Sequence, residues 1–145
     1  MNPLVIDASI AVKWFLPEDG SDEALIIRNR FVDREYHLIA PDLMLSEFVN
    51  VLWKRREFVE EATSLDIISD LLALGIDLVP SEQFIVRAYK LGRQYSRTVY
   101  DSLYLALAES RSCDMVTADS RLYNAVEKHL PFVHLLGDWK PAEAE

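Results

Sequence analysis

The sequence predicts an α/β fold built on a largely parallel sheet, and three observations predict it. Short apolar runs (PLVI, HLIA, IDLV, DMVTA and FVHLL) recur along the chain, each too brief for a helix. Between them lie longer segments whose apolar residues follow helical spacing. The runs show little polar alternation, as expected of strands covered by helices on both faces. A length of 145 residues, half of them apolar and 27% charged, suits one domain with one core. We assign residues 1–138 to that domain and 139–145 to a polar tail.

Taken in order, Pro3 to Ile6 reads as the first strand, closed by Asp7. A helix follows through SIAVKWFL and stops at Pro17; a second runs from about Asp22 to Val32. His37 to Ala40 is the next strand. Pro41 and Asp42 are expected to open a helix to about Arg56, since proline suits a first helical turn. Another helix is expected from Val59 to Leu74, with Gly75 as its stop. Ile76 to Val79 forms a third strand, after which Ser81 is positioned to cap a helix reaching Tyr95. Thr98 is positioned to cap the next, to about Ser112. Asp114 to Ala118 is a fourth strand, Asp119 to His129 a helix, and Phe132 to Leu136 a fifth strand.

Several classes are excluded early. A single cysteine, Cys113, permits neither an internal disulfide nor a cysteine-rich zinc site. No apolar run has the roughly 18 residues of a membrane span, and the start lacks a signal peptide's pattern, so a cytoplasmic location is expected. The net charge of −9, from 15 Lys+Arg against 24 Asp+Glu, argues against a simple basic nucleic-acid-binding module.

The informative residues are carboxylates. Asp7 and Asp119 stand where strands end, and the carboxyl ends of parallel strands form the usual ligand crevice. Asp101 shares a helix face with Tyr104, Leu105 and Ala108, and Glu47 shares one with Leu43, Met44 and Val51. Capping alone accounts equally well for Asp7, Asp119 and Asp101 when each is taken singly. Glu47 is mid-helix, where an ionised acid on an apolar face is costly unless paired or metal-bound; a Glu47 turned sideways to solvent is the competing account. Several carboxylates gathered without basic partners repel one another unless something positive fills the site. Oxygen-only acidic ligands suit Mg²⁺, with Mn²⁺ as a substitute, and such an ion serves phosphoryl-transfer chemistry. Ser9 and Thr117 lie two residues from Asp7 and Asp119. Each is either a contact to water or phosphate or a hydroxyl bonded locally.

VIDASIAVKWFLPED, LSEFVNVLWK, YDSLYLALAES and MVTADSRL, in that order, resemble the segments of PIN-domain proteins of the VapC toxin type. The resemblance spans the first strand to about Leu122. It implies a three-layer α/β/α sandwich with a mainly parallel sheet of four or five strands. It also implies a Mg²⁺- or Mn²⁺-dependent endoribonuclease, the toxin of a toxin–antitoxin pair, acting as a homodimer and neutralised by a small cognate antitoxin. The family's acidic site falls on Asp7, Glu47, Asp101 and Asp119, with Asp7, Asp101 and Asp119 as metal ligands and Ser9 as the accompanying hydroxyl. SRLYN after Asp119 offers no further acid, so no fifth carboxylate is assigned and the number of metal ions stays open. Asp114, at the opposite end of its strand, is excluded.

Two basic sets are candidates for an RNA backbone: Lys54, Arg55 and Arg56 beyond Glu47, and Lys90, Arg93 and Arg97 before Asp101. A solvated helix face is the competing account of each. Trp14, Trp53 and Tyr104 are expected to pack in the core rather than stack bases. Dimer contacts are expected from the helices between Asp22 and Leu74. Two alternatives to the nuclease stand: a non-catalytic PIN-like binding or scaffold module, and another metal-dependent phosphoesterase. The second is weakened by the lack of an Asp-x-Asp pair after the first strand.

Overall fold

The computed structural model describes residues 2–141. Five parallel strands form one sheet: β1 (Asn2–Ile6), β2 (Tyr36–Pro41), β3 (Asp77–Val79), β4 (Asp114–Thr117) and β5 (Val133–Leu135). Their spatial order is β3-β2-β1-β4-β5. Seven helices flank it: α1 (Ala8–Phe15), α2 (Ser21–Val32), α3 (Leu43–Lys54), α4 (Glu61–Ala73), α5 (Ile85–Tyr95), α6 (Val99–Arg111) and α7 (Ser120–Val126).

All five expected strands and all seven helices are present, with shifted ends. Pro41 closes β2, in register with Val79, instead of opening α3. A strand's end tolerates the missing proline N–H, and the Asp42 amide then donates to the Val79 carbonyl. The Ser81 hydroxyl donates to Asp42 and leaves the next helix uncapped. The stretch after Ser81 is accordingly a 3-10 turn, Ser81–Gln83, and α5 begins only after the buried Phe84. α7 stops at Val126, where the amides of His129 and Leu130 fold back onto the Val126 carbonyl. Trp139, placed in the tail by composition, packs edge-on against Tyr36; residues 142–145 lie outside the described residues.

The strand order sets the location of the site. β1 pairs with β2 on one side and β4 on the other, so chain progression reverses between β1 and β4. The carboxyl ends of strands at such a reversal form a crevice. Ile6 lies opposite Val116, and one step further brings Asp7 beside Thr117. Leu4, Val5 and Ile6 are buried, as are Met115 and Val116, so the strands leading to Asp7 and Thr117 are held in the packed core. Residues Ser102–Ala108 of α6 are buried throughout, as expected of a helix lying between sheet and α5.

Candidate functional site

Asp7 occupies the N-cap position of α1, yet its side chain forms no capping hydrogen bond. Both carboxylate oxygens instead accept from hydroxyls: Oδ1 from Ser9 and Oδ2 from Thr117. Each hydroxyl is itself fixed by a backbone amide beyond β4. Ala118 N–H donates to Ser9 Oγ at 3.0 Å, and Asp119 N–H donates to Thr117 Oγ1 at 3.0 Å. Asp7 is thus oriented by a relay tying the end of β1 to the end of β4. It is 7% exposed, and burial pushes its carboxyl up to about 6. The Ser9 and Thr117 hydroxyls pull it back, the Glu47 charge raises it again, and the Ile10 amide lowers it slightly.

Glu47 projects half-buried from α3 and accepts from the Tyr104 hydroxyl, 57 residues away on α6. Burial raises its pKa, the Tyr104 bond lowers it, and the Asp101 charge raises it further. Tyr104 is 2% exposed, and burial followed by the Glu47 charge holds its phenol protonated as a donor. Asp101 sits in the first turn of α6, where the Thr98 side chain caps its amide at 3.1 Å. Its carboxyl is raised by burial and by the Asp119 charge, and lowered by Arg97. Asp119 does cap its helix: Oδ1 accepts from the amides of Arg121 and Leu122 at 3.0 and 3.3 Å.

The structure therefore brings all four acids into electrostatic contact, linked as Asp7 to Glu47, Glu47 to Asp101, and Asp101 to Asp119. Among the described residues, Arg97 is the one cation lowering Asp7, Glu47 or Asp101. The donor set fits a hard divalent ion: carboxylate and hydroxyl oxygens, a deficit of positive charge and no histidine or thiol. Among the described residues, no three Asp, Glu, His or Cys side chains stand close enough to close around one ion as they are.

Tyr104 is the site residue that sequence reasoning assigned to the core instead. Its ring is buried as expected, but its hydroxyl reaches Glu47. The available signal was its position one turn beyond Asp101 on the same face, together with the need of a buried phenol for a partner. Trp14 is buried, its indole donating to the Ala24 carbonyl at 2.8 Å. Trp53, expected in the core, is 58% exposed beneath the Arg56 guanidinium, because its position on α3 faces away from the sheet. Arg55 pairs with Glu18, while Lys54 is exposed. Lys90 shares a groove with Glu82 and Glu109; Arg93 stacks over Tyr89. Asp114 is exposed at the far end of β4, beside His134.

A parallel α/β/α domain with carboxylates converging on the crevice between β1 and β4 defines a class of acidic-centre domains. The chain belongs to the PIN domain family, whose profile matches residues 4–128. It is 30% identical over 123 residues to Ribonuclease VapC3 of Pyrobaculum aerophilum, covering 82% of this chain and 91% of that protein. Ribonuclease VapC12 of Mycobacterium tuberculosis is 29% identical over 122 residues, covering 82% and 88%. Among solved structures, a toxin–antitoxin complex from Klebsiella pneumoniae superposes with TM-score 0.63 at 15% identity, covering 92% of this chain and 97% of that one. Mycobacterium tuberculosis VapC20, a sarcin-ricin-loop-cleaving toxin, gives 0.62 at 12% identity, covering 85% and 95%. These structural likenesses support the same fold.

Proposed function

We propose that this protein is a Mg²⁺- or Mn²⁺-dependent endoribonuclease and the toxin of a toxin–antitoxin pair. The observation that carries the proposal is the linked set of four carboxylates at the β1–β4 crevice of a chain whose relatives are named ribonucleases. Asp7, Asp101 and Asp119 would hold the ion, directly or through water, and when bound it supplies positive charge for the phosphodiester and its attacking water. Ser9 and Thr117 fix Asp7 by donating to both of its oxygens, so its lone pairs keep one direction without reorganisation. Tyr104 holds Glu47 by its hydroxyl and favours the ionised form, keeping an acceptor available to orient water. Arg97, close enough to act on Asp101, offers a cation on the approach to the acids.

A cognate antitoxin belongs to the same proposal, supported by the toxin–antitoxin complex among the structural neighbours. So does a homodimer. Trp53, Phe58, Leu65 and Leu72, on and between α3 and α4, expose large apolar side chains within the helices expected to form contacts. Among the described residues, no helix is long and apolar enough to cross a membrane. A cytoplasmic site of action remains part of the proposal. The test is incubation of the purified protein with tRNA and rRNA in Mg²⁺ or Mn²⁺. Cleavage abolished by chelation supports the enzyme; intact RNA under all conditions favours a non-catalytic module.

A further inference from the structure

Asp7 and Glu47 stand on two helices packed against each other, Asp7 as the N-cap of α1 and Glu47 inside α3. Three contacts join those helices, at successive levels. At the site, the Tyr104 hydroxyl donates to Glu47 and accepts from the amide of Ala8, the residue after Asp7. Further along, the Phe15 ring meets Phe48, the residue after Glu47, edge-on at 5.8 Å. Beyond both, a single carboxylate from the α1–α2 loop bridges the helix ends. Glu18 Oε1 accepts from Lys13 Nζ at 3.2 Å, and Oε2 accepts from Arg55 at 3.0 Å. Lys13 lies in the last turn of α1 and Arg55 caps the end of α3, so each cation also meets the negative end of its own helix. Lys13 donates again to the Asp19 carbonyl at 2.5 Å, and its side chain is only 13% exposed. An isolated surface pair holds little, but a carboxylate shared by two cations in a part-buried network holds more.

We propose that α1 and α3 act as one frame that sets Glu47 against Asp7, and that Glu18 is a remote positioning residue closing the frame at its far end. The inference rests on the ribonuclease reading and adds a control on its site. At 1.5 Å per residue, Lys13 stands roughly 9 Å along α1 from Asp7, and Arg55 roughly 12 Å along α3 from Glu47. Glu18 therefore acts on the acids only through the two helices. Close-packed interiors transmit such displacements, and reacting groups misplaced by about 1 Å lose much of their rate. Arg55 accordingly serves the frame: its guanidinium is committed to Glu18 and is not held out for an RNA backbone.

The test compares Glu18→Gln and Arg55→Ala with the native chain in two readouts. In cleavage of tRNA with Mg²⁺, each variant is expected to lower kcat about two- to fivefold with KM unchanged. The double variant should be no slower than either single one, because both break the same bridge. Arg55→Lys, which keeps a cation for Glu18, should retain most of the rate. In metal-free protein, amide hydrogen exchange should quicken by a similar factor along both α1 and α3, including Ala8 at the site end. A raised KM in Arg55→Ala, with Glu18→Gln unaffected, would make Arg55 an RNA contact and overturn the frame. So would an unchanged kcat in both variants, or exchange quickened only beside position 18. A native chain that cuts no RNA would sink the ribonuclease reading instead, and the exchange pattern would then still decide the frame.

Discussion

Asp7 is the most deeply buried of the four acids, and its environment sets a pH signature. Its carboxyl is raised to about 6 in the folded chain, against an ordinary aspartate value of 3.8. A raised acid favours folding while protonated, so its contribution is complete below about pH 4 and is lost as pH rises through about 6. The penalty above that range is at most about 3 kcal/mol. Asp7→Asn should therefore raise the melting temperature of metal-free protein at pH 8 by several degrees, and the gain should vanish near pH 4. Melting curves at the two pH values check this; equal melting temperatures at pH 8 would contradict the burial argument. Tyr104→Phe removes only a hydroxyl, but leaves Glu47 without its donor. The expected cost is about 1–2 kcal/mol in urea unfolding, with slower RNA cleavage. The four acids were legible individually because Glu47 has no capping role and the others close strands or open helices. The pairing of Tyr104 with Glu47 was not, since it depends on how α3 and α6 meet across the sheet.

At the scale of elements, the α5–α6 hairpin controls where Arg97 and Asp101 stand. Gly92 permits the close approach: an added Cβ would meet the Arg97 carbonyl at 2.8 Å and Ser102 Oγ at 3.2 Å. Backbone cannot give way as a side-chain tip can, so Gly92→Ala should cost about 1–3 kcal/mol by urea unfolding and displace Arg97. Thr98→Ala, which removes the α6 cap beside Asp101, should cost about 1 kcal/mol. Strand and helix order was readable because apolar runs and helical periods are local signals. The element ends were less readable. Pro41 and Ser81 answer to long-range partners, Val79 and Asp42, that propensity does not contain.

For the whole molecule, the net charge of −9 acquires a location. The excess counts against generic polyanion binding, yet four of its acids act on one another at one end of the sheet, where a bound cation would relieve their repulsion. RNA affinity should accordingly be weak without a divalent ion and fall further as salt rises. An ion at a hundredfold above its Kd would stabilise the fold by about 2.7 kcal/mol, so Mn²⁺ should raise the melting temperature of the native protein. It should do so far less in Asp7→Asn.

The most direct measurement of the central claim is RNA cleavage by the native chain and by Asp7→Asn, each with Mg²⁺ or Mn²⁺ and again after chelation. Cleavage is expected from the native chain alone, lost on chelation and restored by adding back the ion. Full activity in Asp7→Asn, or activity indifferent to the chelator, would contradict it.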